Sequence, residues 1–385
     1  MTNEVVASDP NHVELFAGGG GLAYGLRAAG CTGGLLIESN AHACDTLTEN
    51  SKQGRPLEGV DVRKVDVHTV KWTLKGISLL AAGAPCQPFS LGGKHLAHSD
   101  DRNLFPEVLR ATRDIRPRAV LLENVSGIVR SSIRPYFDYI LRQLEYPELA
   151  PKEDESWEDH DKRLQRHQAS RSYEPQYVVS TQVMNAADYG VPQTRRRVFV
   201  VALKGASDPF AFTEPTHSQD ALRVAQRGAD YWEERGLSVP ENIANGLPGH
   251  RGGGCSELRP WKTVRDALSD LPAPKEEMRR DALDHWLIPG ARTYKGHSGS
   301  HLDWPSKTIK AGVHGVPGGE NTVVLEDGSV RYYTLREAAA IQTFPNAYRF
   351  PVSRSEAIRQ IGNAVPCQLA QVVATALRTR LSEGE

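Results

Sequence analysis

The residues best suited to catalysis begin with Cys86, in the segment GAPCQPFS at positions 83–90. Pro85 and Pro88 flank the thiol and restrict the backbone around it. Most lone cysteines are buried apolar side chains, but a cysteine on a proline-framed loop after a strand is a better candidate nucleophile. The segment therefore predicts that Cys86 attacks a substrate, for which its thiolate form is required.

A carboxyl group and two arginines also follow apolar runs. Glu123 stands where a carboxyl suits a general acid beside a nucleophile, and a purely structural acid is the alternative. In QTRRRV, at 193–198, strand alternation places Arg195 and Arg197 on one face and Arg196 on the other. Two arginines at such an edge suit an anionic or carbonyl-bearing base, whereas an edge strand charged against aggregation is the plainer interpretation.

A glycine-rich turn and two acids indicate a nucleoside cofactor. Residues 16–21 read FAGGGG, and glycines at a strand-to-helix turn let the backbone approach a ligand closely. Glu38 follows Gly18 by about 20 residues, a spacing that suits a carboxylate on the ribose hydroxyls of a cofactor. Asp66 is placed to bind an adenine amino group. A tight turn without a ligand, and N-capping by either acid, are the alternatives.

The elements that position these residues are short apolar runs, each ending near a chemical side chain. Strands are predicted at 13–17, 35–37, 77–82, 119–122 and 197–203. Helix-compatible stretches are found between or after them at 22–29, 41–50 and 135–144. This alternation predicts an α/β fold with a doubly wound, mostly parallel sheet, in which ligands bind at the carboxyl ends of the strands.

Two segments depart from the alternation. Residues 151–170 are highly charged and have little to bury, which predicts a surface insertion in the form of a solvated helix. Residues 205–305 are rich in proline, glycine and aromatic side chains, which predicts a smaller, irregular second domain. Helical character returns at 335–342 and 368–381.

Composition limits the setting of this chemistry. The 385-residue chain has a formal net charge of −1, and no apolar run approaches the roughly 18 residues that a membrane span needs. Its five cysteines include no CxxC pair, so neither disulfides nor a zinc ribbon are expected. His297 and His301 lie in a stretch too rich in glycine and serine for a helical metal site, and no metal is predicted. Because the N-terminus lacks the order of a signal peptide, we expect a cytoplasmic protein.

Local charge still permits nucleic-acid binding. Between Trp286 and Gly318, four cations stand against Asp303 alone; they are Arg292, Lys295, Lys307 and Lys310. His297, His301 and His314 lie in the same stretch. We predict that this stretch faces phosphates, with an ordinary solvated loop as the alternative.

In this order, the motifs resemble those of the cytosine-C5 DNA methyltransferases, especially the prokaryotic modification enzymes. The resemblance rests on the motifs above and on five further features: Arg102, Leu104-Phe105, ENV at 123–125, TLREAAAIQTFP at 334–345 and QIGNAVP at 360–366. It covers most of the chain outside 150–175 and 205–305. Ser39 departs from the pattern, because an aromatic residue often follows the ribose-binding glutamate in this family.

The resemblance implies a role for each residue. Cys86 adds to C6 of a cytosine flipped out of the duplex, and Glu123 hydrogen-bonds or protonates N3. Arg197 contacts the base carbonyl and Arg195 supports the site. The implied cofactor is S-adenosylmethionine, bound by Phe16, Ala17, Gly18, Gly20, Glu38, Asp66, Pro85, Leu104, Asn363 and Ala364. The implied DNA-binding residues are Gln87, Ser90, Arg292, Lys295, Lys307 and Lys310.

The resemblance also implies a domain plan and partners. Residues 1–204, completed by 350–385, are expected to bind the cofactor and catalyse the reaction. Residues 205–305 are expected to recognise the target, and 306–349 to form a hinge and return segment. The implied partner is double-stranded DNA, and no membrane association is expected. We expect a monomer without a stable complex with a cognate restriction endonuclease or other defence proteins.

Three rival interpretations remain open. A tRNA cytosine-C5 methyltransferase would lack the roughly 130 residues found between QTRRRV and the final motifs. A catalytically inactive DNA-binding paralogue would be marked by loss of Cys86 or Glu123, and both are present. A nicotinamide-dependent oxidoreductase would share the glycine-rich turn but leave PCQPFS and QTRRRV unexplained.

Overall fold

Two compact units make up the protein. The computed structural model describes residues 3–4, 11–85, 103–170, 174–240, 257–274, 276, 284–292, 298–312 and 321–383. Unit 1 comprises Met1–Met184, Arg196–Thr213 and Phe344–Glu385. Unit 2 comprises Asn185–Arg195 and Glu214–Thr343. The predicted hinge, 306–349, is divided between the units, because residues up to Thr343 belong to unit 2 and the rest to unit 1. DNA recognition by unit 2 stays a prediction.

Strands and helices alternate through the first part of unit 1. In chain order its elements are β1 (His12–Leu15), α1 (Gly21–Ala28), β2 (Gly34–Glu38), α2 (Ala41–Ser51), β3 (Asp61–Lys64), β4 (Leu79–Ala82), α3 (Phe105–Ile115), β5 (Ala119–Val125), α4 (Arg134–Glu145), α5 (Trp157–Ala169), β6 (Tyr177–Asn185) and β7 (Arg196–Lys204). A short parallel pairing joins Asn3–Glu4 to Val70–Lys71.

Seven of these strands form one sheet, in the order β3-β2-β1-β4-β5-β7-β6. The pairings from β3 to β5 are all parallel, and β7 runs antiparallel to β5. The apolar runs of β2, β4 and β5 are buried because helices cover parallel sheets on both faces. The predicted doubly wound, mostly parallel α/β fold is confirmed.

The register of the parallel strands brings their carboxyl ends to one edge. Leu15 lies opposite both Ile37 and Ala82, and Ala82 lies opposite Leu122. Because each of these four residues is at or near the end of its strand, the residues that follow emerge side by side. The segments that contain the predicted catalytic and cofactor-binding residues therefore lie together at this edge of the sheet.

The charged insertion buries more than its composition suggests. In α5, Leu164 is fully buried, and the Trp157 ring meets Tyr136 of α4 edge-on with centroids 5.3 Å apart. His160 Nδ1 lies 2.8 Å from the Tyr139 hydroxyl, and burial lowers the pKa of this histidine. The prediction of a helix here is confirmed, but the expectation that it has little to bury is wrong, because its apolar residues share one face.

Unit 2 consists of short elements held together by side chains. They are β8 (His217–Ser218), α6 (Gln219–Arg227), α7 (Asp230–Glu233), β9 (Arg259–Pro260), α8 (Val264–Leu268), β10 (Ser300–His301), β11 (Thr322–Val324), β12 (Val330–Tyr332) and α9 (Leu335–Ile341). The strands β10, β11 and β12 form a three-stranded sheet, and β8 pairs with β9. The Arg265 guanidinium forms two hydrogen bonds to the Asp303 carboxylate, at 2.8 and 2.9 Å.

The chain returns to unit 1 through α10 (Arg354–Asn363) and α11 (Cys367–Ser382). One face of α11 is apolar and buried, with Leu369 and Val373 almost inaccessible to solvent. Within the part of the chain that the structure describes, no helix combines the length and apolar character needed to cross a membrane.

Candidate active site

A pocket of about 440 Å³ opens at the carboxyl edge of the unit 1 sheet. This volume lies within the roughly 300–1,000 Å³ of typical small-ligand sites. Its lining residues are Phe16, Ile37, Glu38, Ser39, Val65, Asp66, Val67, His68, Pro85 and Leu104. Five of the ten predicted cofactor residues are among them: Phe16, Glu38, Asp66, Pro85 and Leu104. The pocket thus combines an aromatic ring, two carboxylates and apolar walls, which a nucleoside requires.

Glu38 is held in place by backbone donors on both sides. Its Oε2 accepts a hydrogen bond from the Gly18 N–H at 2.8 Å. Its Oε1 accepts from the Ser39 and Asn40 N–H groups at 2.9 and 2.8 Å. A carboxylate has about four acceptor positions, so one on Oε2 is left for a ligand. The geometry therefore leaves room for the carboxylate to accept one direct hydrogen bond from a ligand hydroxyl, where the sequence suggested two.

Asp66 and Phe16 both belong to the pocket wall. Asp66 caps a short 3-10 turn, because its side chain accepts from the His68 N–H at 3.1 Å. Phe16 directly follows β1 and has a φ of 59°, a conformation that costs energy for a bulky residue. Its own N–H donates to the Ile37 carbonyl at 2.9 Å, which holds this strained turn against β2. Strain of this kind is typical of ligand-binding turns.

The glycines of the FAGGGG turn face the rest of unit 1 more than the pocket. A Cβ on Gly19 would lie 2.9 Å from the Cβ of Gln360, and one on Gly21 would lie 2.3 Å from the Val365 carbonyl oxygen. Gly18 differs, because its Cβ would approach only the Phe16 carbonyl within 4 Å among the described atoms. Close packing thus explains Gly19 and Gly21, whereas Gly18 has a φ of 54°, which itself favours glycine, and its approach to a ligand stays a prediction.

The remaining predicted cofactor residues lie around or behind the turn. Ala17, Gly18 and Gly20 belong to the turn itself and do not line the pocket. Asn363 is exposed at the end of α10, and the buried Ala364 packs 3.0 Å from where a Gly21 Cβ would be. Their contact with a cofactor stays a prediction.

Glu123 and Arg197 form an ion pair at the same edge. The Arg197 Nε lies 2.8 Å from Glu123 Oε1, and both side chains are about one-tenth exposed. The antiparallel register of β5 and β7 places them close together, since Val125 pairs with Arg197 and Glu123 with Phe199. The pairing orients the carboxyl group and leaves its second oxygen 3.9 Å from where a Cβ on Gly83 would be.

The end of β5 also holds the loop that leads to the predicted nucleophile. The side-chain amide of Asn124 donates to the Ala84 carbonyl at 3.1 Å. Pro85 follows and lines the pocket. Cys86 comes next in the chain, but Cys86, Gln87, Ser90 and Arg102 lie outside the described residues.

Arg195 belongs to unit 2 and is almost completely buried there. Its Nη1 donates to the Ile309 carbonyl at 3.0 Å. The neighbouring Gln193 accepts from the Ile309 N–H at 2.9 Å and donates to the Gln342 side chain at 2.9 Å. Arg196 is exposed, in agreement with the predicted alternation. Arg195 therefore fixes the conformation of the part of QTRRRV that belongs to unit 2, residues 193–195.

The predicted DNA-binding cations of unit 2 differ in their surroundings. Arg292 and Lys310 are exposed, while the ammonium of the half-buried Lys307 donates to the Ser298 carbonyl. The backbone N–H of Lys310 donates to the Asn321 side chain at 3.0 Å, which fixes the start of its side chain. Lys295, His297 and His314 lie outside the described residues.

Sequence reasoning missed several lining residues of the pocket. Four of them directly flank the predicted acids Glu38 and Asp66 in the chain, and the sequence could therefore have indicated them. They are Ile37, Ser39, Val65 and Val67. His68 had no such signal. Its Nδ1 lies 3.2 Å from Glu107 of α3, a contact that only the fold creates.

A doubly wound sheet with an acid-lined pocket at its carboxyl edge defines the class of α/β proteins that bind nucleotide or nucleoside cofactors. The family model for C-5 cytosine-specific DNA methylases matches residues 11–147 and 159–379. The chain belongs to this family and is a DNA (cytosine-5-)-methyltransferase.

Curated relatives and solved structures agree with this family. The chain is 31% identical to type II methyltransferase M.Eco47II of Escherichia coli, over 94% of this chain and 77% of the relative. It is 30% identical to M.NgoMIV of Neisseria gonorrhoeae, over 94% and 95%. Its fold is similar to the crystal structure of S. pombe Dnmt2 methyltransferase, with a TM-score of 0.55 and 16% identity over 96% and 98% of the two chains.

Proposed function

We propose that this enzyme transfers a methyl group from S-adenosylmethionine to C5 of a cytosine flipped out of duplex DNA, through a covalent bond between Cys86 and C6. The observation that carries the proposal is the pocket at the sheet edge, where Glu38, Asp66 and Phe16 meet beside the Glu123–Arg197 pair. The target base must leave the stack, because C6 is inaccessible within it.

The pocket residues fit the proposed cofactor. The free acceptor position of Glu38 suits a ribose hydroxyl, Asp66 suits the adenine amino group, and Phe16 provides an apolar face. When bound, S-adenosylmethionine supplies an electrophilic methyl group. The pocket lies beside Pro85, so the proposed cofactor and the proposed nucleophile share one edge of the sheet.

The protein residues activate the base. The Cys86 thiolate forms a bond to C6, and the electron pair of the C5–C6 double bond makes C5 nucleophilic. Glu123 holds a proton at N3, which relieves the negative charge that this addition places on the ring. Arg197 orients Glu123 and reaches the base carbonyl. After transfer, solvent takes the C5 proton, and the electron pair of that C–H bond restores the C5–C6 double bond as the sulfur–C6 bond breaks. The thiolate is regenerated, and the N3 proton returns to Glu123.

Trapping with 5-fluorocytosine tests this function. The fluorine cannot leave as a proton does, so the wild-type enzyme should form a stable covalent complex with DNA carrying this base. Cys86→Ala should form none and should lose methyl transfer, because it lacks the thiol. Cys31→Ala is the matched control, since Cys31 is partly exposed and lies on the loop after α1.

The outcomes separate the rival functions. Adduct formation and methyl transfer on duplex DNA, lost only in Cys86→Ala, support the proposal. Transfer to tRNA in place of DNA would overturn it in favour of the RNA-modifying alternative. DNA binding without any transfer would indicate an inactive paralogue.

We also propose that the methylation serves restriction–modification or another defence system, as a separate protein from any cognate endonuclease. The support is that the relatives are named type II methyltransferases. Bisulfite sequencing of DNA from cells that express the enzyme should show one short sequence methylated throughout. Scattered methylation without a shared sequence would contradict this role.

A further inference from the structure

The back of the FAGGGG turn is held by a residue from the far end of the chain. The Tyr348 hydroxyl donates a hydrogen bond to the Gly19 carbonyl at 2.8 Å, across 329 residues of sequence. Tyr348 is completely buried. A Cβ on Gly20 would lie only 2.3 Å from the Tyr348 hydroxyl oxygen, so the turn is shaped to fit against this side chain.

Neighbouring contacts fix Tyr348 itself. Its ring packs against Phe344 and Phe350, with centroids 4.8 and 5.3 Å away. The next residue, Arg349, pairs with the Asn50 side chain of α2 through its N–H and its carbonyl, at 3.0 and 2.8 Å. The hydroxyl is therefore presented to the turn by a rigid support.

The turn transmits this constraint to the pocket. One residue before Gly19, the Gly18 N–H donates to Glu38 Oε2 at 2.8 Å. Phe16, which lines the pocket, keeps a φ of 59°. Such a conformation persists only where its surroundings hold it. Release of the Gly19 carbonyl would loosen the segment that sets the position of both Phe16 and Glu38.

We propose that Tyr348 is a positioning residue for S-adenosylmethionine, which acts through the Gly19 carbonyl and never touches the reacting atoms. This inference rests on the proposed function of the pocket. It predicts that the hydroxyl controls cofactor affinity and leaves the catalysis of the bound complex unchanged.

Tyr348→Phe tests the inference, with Tyr177→Phe as a matched control. Tyr177 is also buried, and its hydroxyl also donates to a backbone carbonyl at 2.8 Å, that of Pro117 before the amino end of β5. Both variants lose one buried hydrogen bond, so both should lower the stability of unit 1. Only Tyr348→Phe should raise the calorimetric Kd and the KM for S-adenosylmethionine, by about 3- to 10-fold. The value of kcat at saturating cofactor and the KM for DNA should stay as in the wild type.

Hydrogen exchange provides a second measurement. Amides of the peptide 13–26 should exchange faster in Tyr348→Phe than in Tyr177→Phe, because only the first variant frees the turn. Unchanged cofactor affinity in Tyr348→Phe, or an equal loss in both variants, would overturn the inference alone. A wild-type enzyme that does not bind S-adenosylmethionine would overturn the proposed function, and this inference with it.

Discussion

Both units contain ion pairs, such as Arg142–Asp161 in unit 1, but the pocket carboxylates of unit 1 are used differently from the paired charges of unit 2. In unit 1, Glu38 and Asp66 stand at strand ends and face a pocket. In unit 2, charged groups form ion pairs with one another, as Arg265 does with Asp303 and Glu326. Arg331 pairs in the same way with the buried Glu337.

The difference follows from the backbone of each unit. A seven-stranded sheet positions the groups of unit 1 through its register, so their charges are available for a ligand. Among the described residues of unit 2, each strand contains two or three residues, which is too few to define a register firmly. Ion pairs help to hold these elements in place. Chemistry is therefore expected in unit 1 and target choice in the loops of unit 2.

Exchange of the recognition region should produce the largest effect. A graft of residues 214–343 from a relative of known specificity should change the methylated site completely, because it replaces most of unit 2. A graft of 205–305 should fold less well, since it separates Ser300–His301 from its strand partner Thr322–Val324. Bisulfite sequencing reads the site. An active chimera that still methylates the original sequence would place recognition elsewhere.

Glu123→Gln should reduce kcat by about 100- to 10,000-fold, the usual range for a general acid. The amide keeps the size of the side chain and can donate an N–H to N3, but it cannot transfer a proton to N3 or carry the negative charge that pairs with Arg197. Single-turnover methyl transfer measures the loss. Binding of S-adenosylmethionine should be unaffected, and an equal loss of affinity would show that the variant disturbs the whole edge.

Glu38→Gln should weaken S-adenosylmethionine binding by roughly 10- to 100-fold, the effect of one charge-assisted hydrogen bond. It should also lower stability, because the carboxylate accepts from the Gly18, Ser39 and Asn40 N–H groups. Calorimetry with cofactor and with DNA separates the two ligands. A loss of DNA affinity as large as that of cofactor affinity would argue against the ribose assignment.

Lys310→Ala should weaken binding to all DNA sequences alike and reduce the salt slope of the binding constant by about 1. Its backbone anchor to Asn321 survives the truncation. Lys307→Ala should act in the same way, although its ammonium also donates to the Ser298 carbonyl. Lys152→Ala, at an exposed position before α5, is the control. A loss confined to the cognate site would instead assign base reading to Lys310.

The last effect is expected inside the unit 1 sheet and concerns stability. Burial, and the nearby charge of Glu38, raise the pKa of Glu14 well above its usual value of 4.5. The folded protein therefore favours the neutral form of Glu14. The stability that this preference contributes is fully present below pH 4.5 and is lost as the pH rises toward the pKa of the folded state. Glu14→Gln cannot ionise at this position and should not lose this stability. The free energy of unfolding of the variant, relative to that of the wild type, should therefore increase as the pH rises. Parallel curves from denaturant titrations would contradict this.

Within the unit 1 sheet, the two strands that sequence analysis missed lie at its sides. β3 and β6 are its two edge strands, and β3 reads DVRK without an apolar run. Edge strands carry polar residues because one side lacks a strand neighbour, so the signal that revealed the central strands is weak there. The charged α5 was predicted as a helix, but its packing on Tyr136 and Tyr139 required the fold.

The sequence by itself determined which residues meet at the sheet edge. Glu38 and Glu123 directly end or follow buried apolar runs, and the alternation of elements predicts that these runs lie parallel in one sheet, where β1 and β4 stand between them. Only the tertiary structure decided how each group is held. The Gly18–Glu38 and Tyr348–Gly19 hydrogen bonds span 20 and 329 residues of chain. Hydrogen bonds of this kind depend on distances between distant segments, which no local pattern of residues contains.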